Sequence, residues 1–187
     1  MFQHLIKEIN NCLKAGNTLA AFYIALTLPD LCGKIEYPSI PKSAERYKKW
    51  VDEYARGVIS SSKEITIPAF DKAKQKYPRK AVPNESEVLY HIRCLFLHEG
   101  NARTTKLGNI DYLSCINEKP NESEIYVHGI GSVCYADDPE SAVIHYRLSI
   151  CGITVLLRDF AKQYYEDNSE KFEDNEDIKF QDSYLFD

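Results

Sequence analysis

Arg93 and His98 are the residues in this chain most in need of a chemical explanation. Both lie in the stretch E-V-L-Y-H-I-R-C-L-F-L-H-E-G-N, from Glu87 to Asn101. Its length predicts about four helical turns. Val88, Leu89, Tyr90, Ile92, Leu95, Phe96 and Leu97 cover most of a helical wheel, which predicts a helix buried in a bundle. On that wheel Arg93 falls inside the apolar arc, between Leu89 and Leu97. His91, Cys94 and His98 share the opposite strip. A guanidinium keeps its charge, so a buried Arg93 needs an anionic partner. That partner is either supplied by the fold, with Asp30 the best candidate, or by a ligand. Arginine offers a planar fork to an oxyanion, and imidazole moves protons near neutral pH. Five residues on an ideal helix are about 140° of rotation, so the two side chains should not share a face. They converge only if the helix loosens near Gly100 or a second subunit contributes.

The other candidates are weaker. His91 stands one turn from Glu87 and reads as its surface partner. His128 and His145 have no partner pattern, and Glu99 is an alternative base to His98. The six cysteines, at 12, 32, 94, 115, 134 and 151, form no C-x-x-C. Their spacing fits neither a zinc site nor a disulfide framework, so all are expected as reduced thiols, with no metal and no cofactor.

Two blocks, Leu28-Pro29-Asp30-Leu31-Cys32-Gly33 and Leu89 to Gly100, together with the helical layout, resemble the HEPN superfamily (higher eukaryotes and prokaryotes nucleotide-binding). They look like those of small bacterial proteins of that type. The resemblance implies metal-independent RNA cleavage by a homodimer, whose two R-x4–6-H motifs meet at the interface. Arg93 would then hold the scissile phosphate and His98 would be the general acid and base. Asp30, Cys94 and Glu99 would be supporting residues, with Cys94 standing where the family usually has a polar residue. The resemblance also implies a toxin or phage-defence role, with an antitoxin or other protein partner. It does not extend to the region from 110 to 135 or to the C-terminal tail. The alternative is a non-catalytic module of the same kind, which dimerises and binds nucleic acid, nucleotide or protein. A metal or redox protein built on the cysteines is a third, weaker reading.

The elements that must position these residues are mostly helical. The 187 residues suit one domain. Their 44% hydrophobic and 27% charged fractions are ordinary for a globular protein. The lack of a long apolar run or signal-like N-terminus predicts a cytoplasmic protein without a membrane partner. Phe2, Leu5, Ile6, Ile9 and Leu13 predict a first helix stopped at Gly16. Asn17 caps a second over Thr18 to Leu28, which Pro29 kinks or ends, and Gly33 closes that segment. Ser43 caps a third, Ala44 to Arg56, holding Trp50. Phe70 to Tyr77 predicts a short basic helix. Lys72, Lys74, Lys76 and Tyr77 in it, with Arg79 and Lys80 in the linker just beyond, suit an RNA backbone and a stacked base.

After Gly100 the period changes from 3.6 to 2. Ile110 to Ile116 and Ile125 to Tyr135 predict a β-hairpin. Asp138-Pro139-Glu140 reads as the start of the longest helix, running to about Tyr165. The expectation is therefore a mainly α, up-and-down bundle of about five helices with one β-hairpin insertion at about 110–135. It forms a single domain over 1–167. Residues 168–187 read as an acidic tail, without fixed order or docked through Tyr184-Leu185-Phe186.

Overall fold

The computed structural model describes residues 1–58, 84–100, 103–104, 112–116, 130–134 and 143–173. These form a mainly helical bundle with a small β insertion. The helices are α1 (Phe2–Lys14), α2 (Thr18–Ala25), α3 (Leu28–Glu36), α4 (Ser43–Tyr54), α5 (Glu85–Cys94), α6 (Ile150–Asp167) and the short α7 (Ser169–Glu173). A π-helical turn, Leu95–Glu99, continues α5. The strands are β1 (Arg103–Thr104), β2 (Tyr112–Ile116), β3 (Ile130–Cys134) and β4 (Val143–Ser149).

The helices form because each can bury an apolar face. Helix α6 packs on α2 and α3, α4 lies between α3 and α5, and α1 covers α2. Trp50, Tyr47, Phe22, Ile9, Leu26, Leu28, Leu89, Ile92, Leu148 and Ile153 are fully buried at the centre. Trp50 stacks on Tyr54 and meets Tyr164 edge-on at 5.7 Å. Thr18–Glu36 is long and apolar enough to cross a membrane by composition. It is broken at Leu26 and Thr27, however, and Phe22, Leu26, Leu28 and Cys32 lie fully inside the core.

Pro29 neither kinks α2 nor ends it. Helix α2 stops at Ala25, and Pro29 sits in the first turn of α3, where its missing N–H has no intrahelical partner to lose. Gly33 does not close a segment either. It lies inside α3, where a Cβ would stand 2.9 Å from the Arg46 carbonyl oxygen and 3.1 Å from its carbon. Both obstacles are backbone, so neither can rotate away. We expect Gly33→Ala to destabilise the fold by about 1–3 kcal/mol through overpacking. Over most of that range the cost exceeds the roughly 1 kcal/mol that alanine gains in helix propensity. Urea denaturation checks it, and an unchanged or raised midpoint would show that α3 and α4 can separate freely.

The β insertion differs from the expected hairpin in its pairing. The sheet order is β1-β2-β4-β3. Strands β2 and β3, the expected pair, are separated by β4, which is parallel to β2 and antiparallel to β3. Residues 143–149 are therefore strand, not the opening of the long helix, which starts at Ile150. Ser149 caps that helix by accepting from the Gly152 N–H at 3.2 Å. Leu148 and Ser149 are buried, so the end of β4 is anchored in the bundle core.

The first residues of the segment read as a tail pack on the body. Phe172 is buried against Phe2, Tyr164 and Tyr165. Lys171 donates to Glu36 at 2.6 Å, and Tyr54 and Tyr164 donate to the same carboxylate at 3.0 and 2.7 Å. Partial burial pushes the Glu36 pKa up, but the hydrogen bonds from Lys171, Tyr164 and Tyr54 hold it below its ordinary 4.5. A depressed carboxyl stabilises the fold above its unfolded value and loses that contribution as pH falls through the folded one. Melting temperature should therefore fall with pH below 4.5, and Glu36→Gln should flatten that dependence. Parallel melting curves for wild type and Glu36→Gln would count against this role.

Candidate functional site

The site is built where α5 gives way to the π-helical turn. Asn84 occupies the N-cap position of α5, and Val88, Leu89 and Ile92 bury its core face. At Leu95 the hydrogen bonding lengthens, and the Gly100 N–H closes on the Leu95 carbonyl, five residues back. Gly100 adopts a left-handed φ of 61°, which favours glycine. A π turn holds one more residue than an α turn. That extra residue carries His98 round to Arg93. The loosening near Gly100 expected from the 140° offset of an ideal helix takes this form.

Arg93 is consequently held on two sides. Its Nε donates to Asp30 Oδ2 at 3.0 Å, and its Nη1 lies 2.8 Å from His98 Nε2. The Asp30 and Arg93 side chains are 22% and 17% exposed, whereas His98 is exposed. The three side chains thus reach from the protein interior to its surface. Burial pushes the Asp30 carboxyl above its ordinary range, against the opposing pull of Arg93 and Arg46. Burial lowers the Arg93 pKa, but Asp30 more than offsets it and the net shift is upward. Arg93 remains a permanent cation. As a donor it requires His98 Nε2 to accept, so neutral His98 carries its proton on Nδ1. Tyr90, one turn before Arg93, lies under the guanidinium, with its ring centroid 5.8 Å from Cζ. Lys48 stands 5.4 Å from the same centroid while pairing with Glu87 at 2.7 Å.

No family model, curated protein or solved structure matches this chain.

The arrangement is chemically capable of two things. A fixed guanidinium at the edge of the surface can receive an oxyanion, and the adjoining imidazole can exchange a proton with whatever that oxyanion carries. The expected pairing of Arg93 with Asp30 is present. His98 also joins Arg93, although the wheel placed them on different faces. Cys94 follows Arg93 with a half-buried thiol. Glu99 lies in the π turn. Lys72, Lys74, Lys76, Tyr77, Arg79 and Lys80 fall outside the described residues. His91 is not the surface partner of Glu87, because its Nε2 is buried and Glu87 pairs with Lys48. Two further residues, Tyr90 and Tyr47, join the surroundings of Arg93. Tyr90 carried a signal, its three-residue spacing from Arg93, whereas nothing marked Tyr47 among 13 tyrosines.

Among the described residues no three His, Cys, Asp or Glu side chains come together as a metal site. Cys12, Cys32, Cys94, Cys115 and Cys151 are free thiols. Burial raises the Cys32 thiol pKa and pushes that of Cys115 up to about 12, which suits packing rather than nucleophilic chemistry.

Proposed function

We propose that this chain is a metal-independent endoribonuclease of HEPN type, working in the cytoplasm as a homodimer. The observation that carries the reading is the 2.8 Å approach of His98 Nε2 to an Arg93 already fixed by Asp30. The substrate phosphate takes the place of His98 at Arg93 Nη1, which frees Nε2. That nitrogen removes the proton from the ribose 2′-hydroxyl. The 2′-oxygen attacks phosphorus and forms a 2′,3′-cyclic phosphate. The 5′-oxygen leaves with a proton from the partner subunit's His98, and Arg93 stabilises the charge that builds on the phosphorane oxygens. The basic run from Lys72 to Lys80 guides the RNA backbone. A toxin or phage-defence role, with an antitoxin as protein partner, belongs to the same reading.

The test is incubation of purified protein with labelled RNA in EDTA. Cleavage that leaves cyclic-phosphate ends, and is lost in Arg93→Ala, is the expected result. No cleavage of structured or unstructured RNA would favour the second reading. That reading is a non-catalytic dimerisation module of the same kind, in which the Asp30–Arg93 pair is purely structural. It would bind nucleic acid, nucleotide or protein.

A further inference from the structure

Three polar atoms beside the Arg93 site are buried and have no hydrogen-bond partner among the described residues: Asp30 Oδ1, Tyr47 OH and Arg46 Nε. Tyr47 is completely buried. Each such atom is costly to leave unpaired, and each points to something that pairs with it. All three residues belong to the crossing of α3 and α4. Gly33 lets α3 approach the Arg46 backbone, and Asp30 lies one turn before Gly33 on the same side of α3. Arg46 and Tyr47 are neighbours on the facing helix, and the Tyr47 ring meets Tyr90 edge-on at 5.4 Å, beside Arg93. The electrostatics agree. Burial raises the Tyr47 hydroxyl pKa, and Asp30 is the strongest charge acting on it. Arg46 in turn acts on Asp30.

We propose that Tyr47 OH, Arg46 Nε and Asp30 Oδ1 together bind one buried water, and that Tyr47 is thereby a positioning residue for Arg93. The inventory fits a single water. Tyr47 and Arg46 donate to its oxygen, and it donates to Asp30 Oδ1, within the two to four partners a buried water takes. Asp30 is then fixed through both oxygens, Oδ1 by the water and Oδ2 by Arg93. A carboxylate fixed at both ends cannot turn, so the guanidinium plane is fixed with it. This role in catalysis rests on the nuclease reading, whereas the water and its hold on Arg93 do not.

Tyr47→Phe removes the hydroxyl and keeps the ring. The Nε–H signal of Arg93 in a 1H–15N spectrum reports its bond to Asp30. Its exchange with solvent should quicken on the order of tenfold in Tyr47→Phe, the worth of about one hydrogen bond. Tyr54→Phe, which removes a hydroxyl bound to Glu36 instead, should leave that signal unchanged. Equal exchange in Tyr47→Phe and wild type would overturn the proposal, as would equal acceleration by Tyr54→Phe. Should Tyr47→Phe not fold, a high-resolution structure of the wild-type protein decides. Density for a water touching Asp30 Oδ1 and Tyr47 OH is required, and a protein atom in that place would overturn it. If RNA is cleaved, Tyr47→Phe should lower kcat with KM unchanged. If wild-type protein cleaves no RNA, the nuclease reading fails while the exchange measurement still decides the water.

Discussion

If the chain is the proposed nuclease, His98→Ala should lower RNA cleavage by roughly 10²–10⁴-fold, the usual contribution of a positioned general acid or base, while stability changes by only a few tenths of a kcal/mol. The two parts of this result have separate causes. On that reading catalysis falls because no other described residue presents an imidazole to Arg93, whose Nε is held by the Asp30 carboxylate. Stability hardly changes because His98 is exposed and buries little surface. The lost hydrogen bond at Arg93 Nη1 lies at the surface, where water replaces it. His98→Gln sharpens the experiment. An amide can accept from Arg93 through its oxygen, but it does not transfer protons near neutral pH. It should keep the contact and still fail to cleave. Substantial cleavage by His98→Gln would reduce His98 to a prop for the arginine and move the search for a base to Glu99. Thermal melts of both variants separate a catalytic loss from an unfolded sample.

The particular residues explain what the sequence made legible. Arg93 was conspicuous because a permanent charge among leucines demands a counter-ion, and Asp30 was the acid beside otherwise apolar helix. That inference needs only burial and charge. The His98 contact depends on a π turn, which no residue pattern specifies; Gly100 marked where the helix ends but not how its last turn is wound. Asp138-Pro139-Glu140 resembles a helix start, but the long helix begins only at Ile150. Ile144, Tyr146 and Leu148 alternate with His145, Arg147 and Ser149, which is a strand's period, and the structure follows it. Strand pairing was beyond reach for a different reason. Parallel pairing of β2 with β4 joins residues far apart in the chain, so no local turn signals it. Gly33 shows the same limit on a smaller scale. As a residue type it suggests a stop, and only the nearness of Arg46 reveals it as a contact point.

The second large effect is expected at Asp30. Asp30→Ala leaves the Arg93 cation largely buried without its carboxylate, and should cost about 2 kcal/mol, within the range for a hydrogen bond to a charged group. A fully buried pair would cost more; here the two side chains retain 22% and 17% exposure, so water offsets part of the loss. The double variant with Arg93→Ala should be less destabilised than the two single losses added together, since neither charge is then stranded. Burial also gives Asp30 a raised pKa, so its linkage has the opposite sign to that of Glu36. The folded chain binds the Asp30 proton more tightly than the unfolded chain does. Stability from this group is therefore lost as pH rises from 3.8 through the folded value, and the cost of its charge is fully present at neutral pH. On the proposed nuclease reading, function should separate from stability in the same variant. Without the carboxylate the site is more cationic, so RNA should bind at least as tightly as to wild type. Cleavage should nevertheless fall, because an untethered guanidinium no longer meets the phosphate in one fixed plane. Tighter binding with slower cleavage would identify Asp30 as the residue that aims Arg93. Weaker binding with unchanged cleavage per bound molecule would mean that Asp30 maintains the fold and contributes nothing further to the reaction.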